Sequence, residues 1–171
     1  MSQPTPYRIA TNNSSGGGTS TTAQMSFAQR VNTDIATNLN GAGITVPIDG
    51  TLTTLGANWA INGNGIQYTG TDPVFVRCSF SVHVGASVNR ANMLLRCELN
   101  GTTPFGPIAA HGYIRNASGH NESSYSMPGT WIQLNQNDIV TIVSTQEAGG
   151  GNVSMDTAGT SQLLLERIDN V

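Results

Sequence analysis

The sequence contains no lysine, and few of its residues carry a charge. All seven basic residues are arginines, charged residues make up 10% of the 171 residues, and the formal net charge is −3. The absence of lysine excludes a phosphate-binding P-loop, Schiff-base catalysis and a Ser-Lys catalytic pair. The arginines are spread from Arg8 to Arg167 without a basic cluster, so we expect no direct contact with nucleic acid.

The chain also lacks long apolar runs and the common catalytic motifs. No run of 18 apolar residues could span a bilayer, and the N-terminus M-S-Q-P-T-P-Y-R lacks the apolar core of a secretory signal. We therefore expect synthesis in the host cytoplasm and no membrane partner. There is no G-x-S-x-G, H-E-x-x-H or C-x-x-C motif, and the carboxylates are scattered singly, which predicts a protein that is not an enzyme and needs no cofactor.

Two histidines and one glutamate are the candidates for a metal site. His111, His120 and Glu122 could come together through a loop, since imidazole and carboxylate suit zinc or similar ions. Their spacing is not diagnostic, and His111 shares the outward phase of its strand with Tyr113 and Arg115. Solvated or interface histidines are therefore favoured, and no metal is expected.

What the sequence has in abundance is small polar residues. Gly, Ser, Thr and Asn together account for 72 of the 171 residues, counted directly along the chain. The surface must therefore be hydrated by hydroxyl and amide groups, with little electrostatic repulsion to keep copies of the chain apart. This composition favours assembly over a monomeric state.

Short alternating runs separated by Gly and Asn turns predict an all-β sandwich. The clearest is Val74 to Val84, where Val, Cys and Phe occupy one face and the other carries mostly polar residues. The stretch Phe27 to Leu39 suits a helix or a strand by period, and its Thr and Asn residues favour the strand. Further strands are predicted at Ile44–Ile48, Trp59–Ile61, Ile66–Thr69, Met93–Leu99, Ile108–Ile114, Ser123–Met127, Val153–Met155 and Gln162–Ile168.

Two strand pairs are predicted to be hairpins. Trp131–Leu134 and Ile139–Val143 flank four residues that tolerate turn conformations, Asn135 to Asp138. The second pair surrounds the loop G-A-S-V-N-R and would make Cys78 and Cys97 direct cross-strand neighbours, close enough for a disulfide. Two buried free thiols are the favoured interpretation, because the chain shows no export signal.

The domain organisation is an arm followed by one domain. Residues 1–25 contain too few apolar side chains to order themselves and are expected to form an extended N-terminal arm, leaving 26–171 as the folded domain. Before the triple-glycine spacer lies a group of proline, aromatic, basic and apolar residues where a partner could bind. It comprises Pro4, Pro6, Tyr7, Arg8 and Ile9.

Several blocks of the chain together resemble one known family. They are G-I-Q-Y at 65–68, V-F-V-R-C-S-F-S-V, L-R-C-E-L-N-G, W-I-Q-L-N-Q-N-D-I-V-T-I-V and the closing L-L-L-E-R-I. This order is similar to the jelly roll of the tumour-necrosis-factor and complement-globular-head superfamily, as found in viral head-decoration (cement) proteins and fibre knobs. The turn from Leu134 to Val140 carries the likeness best, although Asn137 stands where that family often has glycine.

The resemblance implies a single jelly-roll sandwich of two antiparallel sheets that forms a homotrimer. It further implies a phage capsid decoration protein at the virion surface, tied through its arm to the major capsid protein. His111, Tyr113 and Trp131 are possible subunit contacts.

Two other functions stay open. A host-receptor or glycan-binding fibre or spike knob would use Tyr113, Trp131 or the loop 116–124, and Tyr125 and Phe105 could help to line a sugar-binding groove. The second alternative function is that of a capsid shell protein, in a shell built from single jelly rolls. The absence of a basic arm counts against a shell that packs RNA directly.

Overall fold

The computed structural model describes residues 23–87, 90–115 and 120–170, and leaves the side chains of 23–25, 107–111, 148 and 168–170 undescribed. These residues form twelve strands and no helix, so none of them belongs to a helix that could cross a membrane. The prediction of an all-β protein is confirmed. The strands are β1 Ala23–Val31, β2 Ile44–Thr45, β3 Leu52–Leu55, β4 Trp59–Asn62, β5 Gly65–Tyr68, β6 Val74–Ala86, β7 Ala91–Leu99, β8 Thr103–Ile114, β9 Glu122–Leu134, β10 Ile139–Ala148, β11 Val153–Met155 and β12 Gln162–Asn170.

The strands form two antiparallel sheets. In sheet A the order is β3-β1-β12-β6-β9, and β11 pairs with β6 beyond the end of β12. In sheet B the order is β4-β5-β10-β7-β8, and β2 pairs with β10. This arrangement confirms the predicted jelly-roll sandwich.

The core lies between the sheets and follows the alternation of the long strands. On β6 the inward phase Val76, Cys78, Phe80, Val82 and Val84 is buried, as the period of two predicts. The facing residues on sheet B are equally buried. They include Met93, Leu95 and Cys97 of β7 and Val140 and Ile142 of β10.

The predicted hairpin from Trp131 to Val143 is wrong. Its first arm belongs to β9, which pairs with β6 in sheet A, and its second to β10, which pairs with β7 in sheet B. The turn between them therefore crosses from one sheet to the other. It is closed by the Asp138 carboxylate, which accepts a hydrogen bond from the Asn135 N–H at 2.7 Å, and by Asn137 at a φ of 71°. The alternation predicts which face of a strand is buried but not which strand pairs with it.

The second predicted hairpin is wrong for the same reason. Cys78 pairs with Leu165 and Thr130 in sheet A, whereas Cys97 pairs with Ile142 and Phe105 in sheet B. The cysteines are not cross-strand neighbours. Instead they face one another across the core, and both are free and buried, as the favoured interpretation of the sequence expected.

Some strand boundaries also differ from the prediction. The strand expected from Phe27 to Leu39 ends at Val31. Beyond it, the Asn32 side chain bonds to the segment before β12, where its Oδ1 accepts from the Ser161 N–H, and Asp34 closes a local turn, where its Oδ1 accepts from the Ala36 N–H. Strand β3 was not predicted. The runs expected at Ser123–Met127 and Trp131–Leu134 are one strand, β9, with a bulge opposite Cys78 and Phe80.

Arg30 points inward from β1 and ties that strand to its neighbours. Its Nε donates to the Gly50 carbonyl at 2.9 Å, and its Nη1 donates to the carbonyls of Gly63 at 2.5 Å and Gly65 at 3.1 Å. Burial lowers the pKa of Arg30, an effect that the negative charge of Asp49 partly offsets. The side chain thus joins sheet A to the β4–β5 hairpin of sheet B through two backbone acceptors, Gly63 and Gly65, and binds the segment before β3 through Gly50.

Candidate assembly surface

The outer face of sheet A carries large apolar side chains in one cross-strand row. The register pairs Leu55 of β3 with Phe27 of β1, Phe27 with Glu166 of β12, Glu166 with Arg77 of β6, and Arg77 with Trp131 of β9. Residues directly opposite in antiparallel strands point to the same face, with Cβ atoms about 4.5–5.5 Å apart. Since Val76 and Cys78 point into the core, this row must face outward.

Most of the apolar area in this row is uncovered. Trp131 is 60% exposed and Leu55 52% exposed, and Phe75, on the same outward phase of β6, is 64% exposed. Phe27 is half-buried between its neighbours. We call Phe27, Leu55, Phe75 and Trp131 the outer aromatic face, since three of the four are aromatic. Large apolar side chains clustered on one sheet face are typical of a surface that another protein covers.

The charges within this face neutralise one another. Arg77 Nη1 lies 3.5 Å from Glu166 Oε2, in the middle of the cross-strand row. The arginine side chain runs over Gly129 at the β9 bulge, where a Cβ would lie 1.9 Å from Arg77 Nε. The missing side chain of Gly129 therefore leaves the space that Arg77 occupies beside Trp131. A guanidinium paired with a carboxylate is easier to cover with protein than an isolated charge.

The predicted subunit contacts do not all lie on this face. Trp131 belongs to it, whereas Tyr113 is 55% exposed on the outer face of sheet B, where it pairs with Asn92. His111 lies on β8 and pairs with Leu94, and its side chain is outside the described residues. The structure thus places Trp131 and Tyr113 on opposite sides of the sandwich.

Phe27, Leu55 and Phe75 were not among the candidate contact residues predicted from the sequence. A signal for Phe75 was present, since it is the one aromatic residue on the otherwise polar phase of β6. No comparable signal marked Leu55, because β3 itself was not predicted, and the row becomes visible only once the register of four strand pairs is known.

The predicted arm lies outside the described residues. This applies to Pro4, Pro6, Tyr7, Arg8 and Ile9, so their role in binding a partner stays a prediction. The described chain begins at Ala23, which pairs with Asn170 at the end of β12. Residues 1–22 are therefore joined to the same sheet that carries the outer aromatic face.

The four aromatic residues considered for a sugar-binding groove do not form one. Tyr125 is buried, and its hydroxyl donates to the Gly112 carbonyl at 2.9 Å, while burial raises its pKa to about 12. Phe105 packs against the core, and Tyr113 and Trp131 are on opposite outer faces. A sugar could not contact all four side chains at once.

Of the three candidates for a metal site, His111 has a side chain that lies outside the described residues. His120 and Glu122 are both exposed. Among the side chains that the structure does describe, no three from His, Cys, Asp or Glu are grouped so that they could hold a metal ion.

A separate polar cavity of about 370 Å³ opens near the end of the sandwich. The Arg167 guanidinium lies 5.8 Å from the centre of the Tyr68 ring, whose hydroxyl donates to the Asp72 carbonyl at 2.8 Å. Trp59 packs edge-on against the same ring. The cavity thus combines a guanidinium, a carboxylate, an amide and hydroxyls around one aromatic side chain. It is lined by Asn58, Tyr68, Thr69, Gly70, Thr71, Asp72, Val74 and Arg167.

Comparison with known proteins shows similarity in fold and no similarity at the level of a protein family. No family model matches the chain, and no curated protein matches it. Among solved structures, the crystal structure of murine APRIL at pH 8.5 superposes with a TM-score of 0.56 and 12% identity, covering 84% of this chain and 99% of that one. The structure of Eiger TNF from S. frugiperda gives a TM-score of 0.52 and 9% identity, covering 85% and 93%. At these identities the likeness shows a TNF-like jelly roll alone.

Proposed function

We propose that this chain is a virion structural protein, a capsid decoration (cement) protein that forms homotrimers and stabilises the capsid shell through its N-terminal arm. The observation that carries the proposal is the outer aromatic face, a set of apolar side chains on a TNF-like jelly roll with three members more than half exposed. This face favours a protein whose role is assembly and not catalysis.

The surface chemistry supports self-association. Phe75, Trp131 and Leu55 offer apolar area that water hydrates poorly, and the ion pair between Arg77 and Glu166 removes the net charge from the centre of the row. A three-fold assembly needs two different surfaces on each subunit, so that each copy covers the face of the next and the ring closes. In this arrangement the outer aromatic face of one copy packs against an edge of its neighbour.

The arm supplies the attachment in this proposal. Residues 1–22 precede β1, a strand inside sheet A, so force on the arm would be transmitted to a strand that is paired on both sides. Three arms on one trimer bind at a high local concentration, and a contact that is weak for one arm becomes long-lived for three. The partner would be the major capsid protein, and the location the outer surface of the virion.

Removal of residues 1–20 tests the attachment. The truncated chain should form trimers of normal mass but fail to bind heads that were prepared without the protein, because the domain that trimerises begins with β1. Cosedimentation with such heads measures attachment, and the full-length chain is the control. Full occupancy of the heads by the truncated chain would refute the tether.

A glycan-binding knob is the second candidate, and the polar cavity favours it. Its guanidinium, carboxylate, amide and hydroxyl groups can donate to and accept from the hydroxyls of a sugar. A glycan array with the wild-type chain and Asp72→Asn tests this function, since saturable binding that is lost in the variant would support a knob. Closed shells formed by the purified chain alone would instead favour the capsid-shell alternative.

A further inference from the structure

The two cysteines meet across the core although they belong to different sheets. Cys78 Sγ on β6 lies 3.5 Å from Cys97 Sγ on β7, and both residues are fully buried. No other cysteine is present in the chain. Two thiols in van der Waals contact need to approach by only about 1.5 Å to reach the length of a disulfide bond.

A covalent bond between these two cysteines would link the two sheets directly. The strands of each sheet are joined by backbone hydrogen bonds, whereas at the two cysteines the sheets meet only through side-chain packing. A bond between Cys78 and Cys97 would join β6, an interior strand of sheet A, to β7, an interior strand of sheet B. Cys78 follows Arg77, which pairs with Trp131 of the outer aromatic face. It would also close the loop of the chain that connects β6 to β7.

We propose that Cys78 and Cys97 form an inter-sheet disulfide by exchange with small disulfides such as oxidised glutathione, so that the sandwich exists in a reduced and a cross-linked state. In the first step the thiolate of one cysteine attacks the small disulfide, forms a mixed disulfide and releases one glutathione thiolate. In the second step the other cysteine thiolate attacks the protein sulfur of the mixed disulfide and releases the second. The two protein thiols are oxidised, one glutathione disulfide is reduced to two glutathiones, and the protons pass through the solvent.

Burial determines when this exchange can take place. The hydrogen bond with Cys97 and desolvation by the core raise the pKa of Cys78, so little thiolate exists in the closed fold. A small disulfide also cannot reach a fully buried sulfur. The bond therefore forms while the chain folds or when the sandwich opens, and the folded reduced protein reacts slowly. This inference stands independently of the proposed function.

Refolding under two redox conditions tests the proposal. The full chain is refolded from urea in buffer with reduced and oxidised glutathione, and in parallel with dithiothreitol. The first sample should lose about 2 Da in intact mass and its free thiols, without glutathione adducts. Its Tm should be higher by roughly 6–13 °C, the range expected from closing a loop between residues 19 apart in a chain of this size. Dithiothreitol should reverse both changes.

Cys78→Ala and Cys97→Ala are the matched controls. In each, the remaining thiol should stay free or carry glutathione, and the redox buffer should leave Tm unchanged. The wild-type comparison decides the question even if either variant folds poorly. The proposal is overturned if wild-type protein refolded with oxidised glutathione keeps both thiols, carries only glutathione adducts, or forms disulfides only between chains.

Discussion

Replacement of Trp131 by serine should dissociate the trimer into monomers without unfolding the subunit. Trp131 is 60% exposed, so about 150 Å² of a side chain of roughly 250 Å² is available for burial in a contact. At about 25 cal/mol per Å² this area corresponds to at most about 4 kcal/mol per contact, of which about 2–4 kcal/mol is realised at aromatic residues central to interfaces. A closed trimer repeats the contact three times, so the free energy of assembly should fall by about 6–12 kcal/mol.

Sedimentation velocity at micromolar concentration measures this loss. The wild-type chain of 17.9 kDa should sediment with the mass of three copies, about 54 kDa, and Trp131→Ser with the mass of one. Far-ultraviolet circular dichroism should stay unchanged, since a side chain this exposed contributes little to the fold of the subunit. Ile35→Ser is the matched control, because Ile35 is 49% exposed in the loop after β1 and does not belong to the outer aromatic face.

Two outcomes would contradict this prediction: Trp131→Ser assembles as tightly as the wild-type chain, or Ile35→Ser dissociates to the same extent as Trp131→Ser. In the first case the outer aromatic face would not be the contact. In the second case the loss of assembly would follow from removing any exposed apolar side chain, and not from removing one on the outer aromatic face.

Three further predictions concern stability. Arg30→Met should lower the free energy of unfolding in urea by about 2–4 kcal/mol, because buried carbonyls that accept from the guanidinium lose their donor; an unchanged midpoint would contradict the role of Arg30 in joining the sheets. Gly112→Ala should lower it by about 1–3 kcal/mol, since the new Cβ would lie 2.4 Å from Tyr125 Cζ; equal stability of the variant would show that the ring can move. Hydrogen bonds, chiefly from the Thr37 hydroxyl, lower the pKa of Asp34. The stability it contributes is complete above the unfolded-state pKa of about 3.9 and is lost as the pH falls through the lower folded value, so Asp34→Asn should show a smaller decrease in urea midpoint between pH 6 and pH 2 than the wild-type chain.

The parts of the fold that depend on local pattern could be predicted. The inward phase of β6 from Val76 to Val84 follows from alternation, and it is buried as expected. The turn around Asn137 was also located correctly, since its residue types tolerate a positive φ. These features depend on residues close together in the chain.

The parts that depend on pairing could not be predicted. The turn after Leu134 and the loop before Ala91 both reverse the chain, but each carries it to the opposite sheet and not to the adjacent strand. A strand with one buried face can pair with the preceding strand in the same sheet, or it can pack against that strand from the opposite sheet. The alternating pattern is the same in both cases, so it does not distinguish a hairpin from a crossing between sheets. The contact between Cys78 and Cys97 arises from such a crossing.

The candidate assembly surface could be predicted only in part. Trp131 was named as a contact from its type and position, and the structure exposes it, although a role in assembly stays a prediction. Leu55 and Phe27 reach the same row only through the pairing of β3 with β1 and of β1 with β12, which brings together residues more than a hundred positions apart in the chain.

An experimental structure of the purified protein, at a concentration where it assembles, would show both the number of subunits and the surface through which they meet. We expect three copies around a three-fold axis, with Trp131 and Phe75 of each copy buried against the next. A monomer, or an assembly that leaves both side chains in contact with solvent, would contradict it.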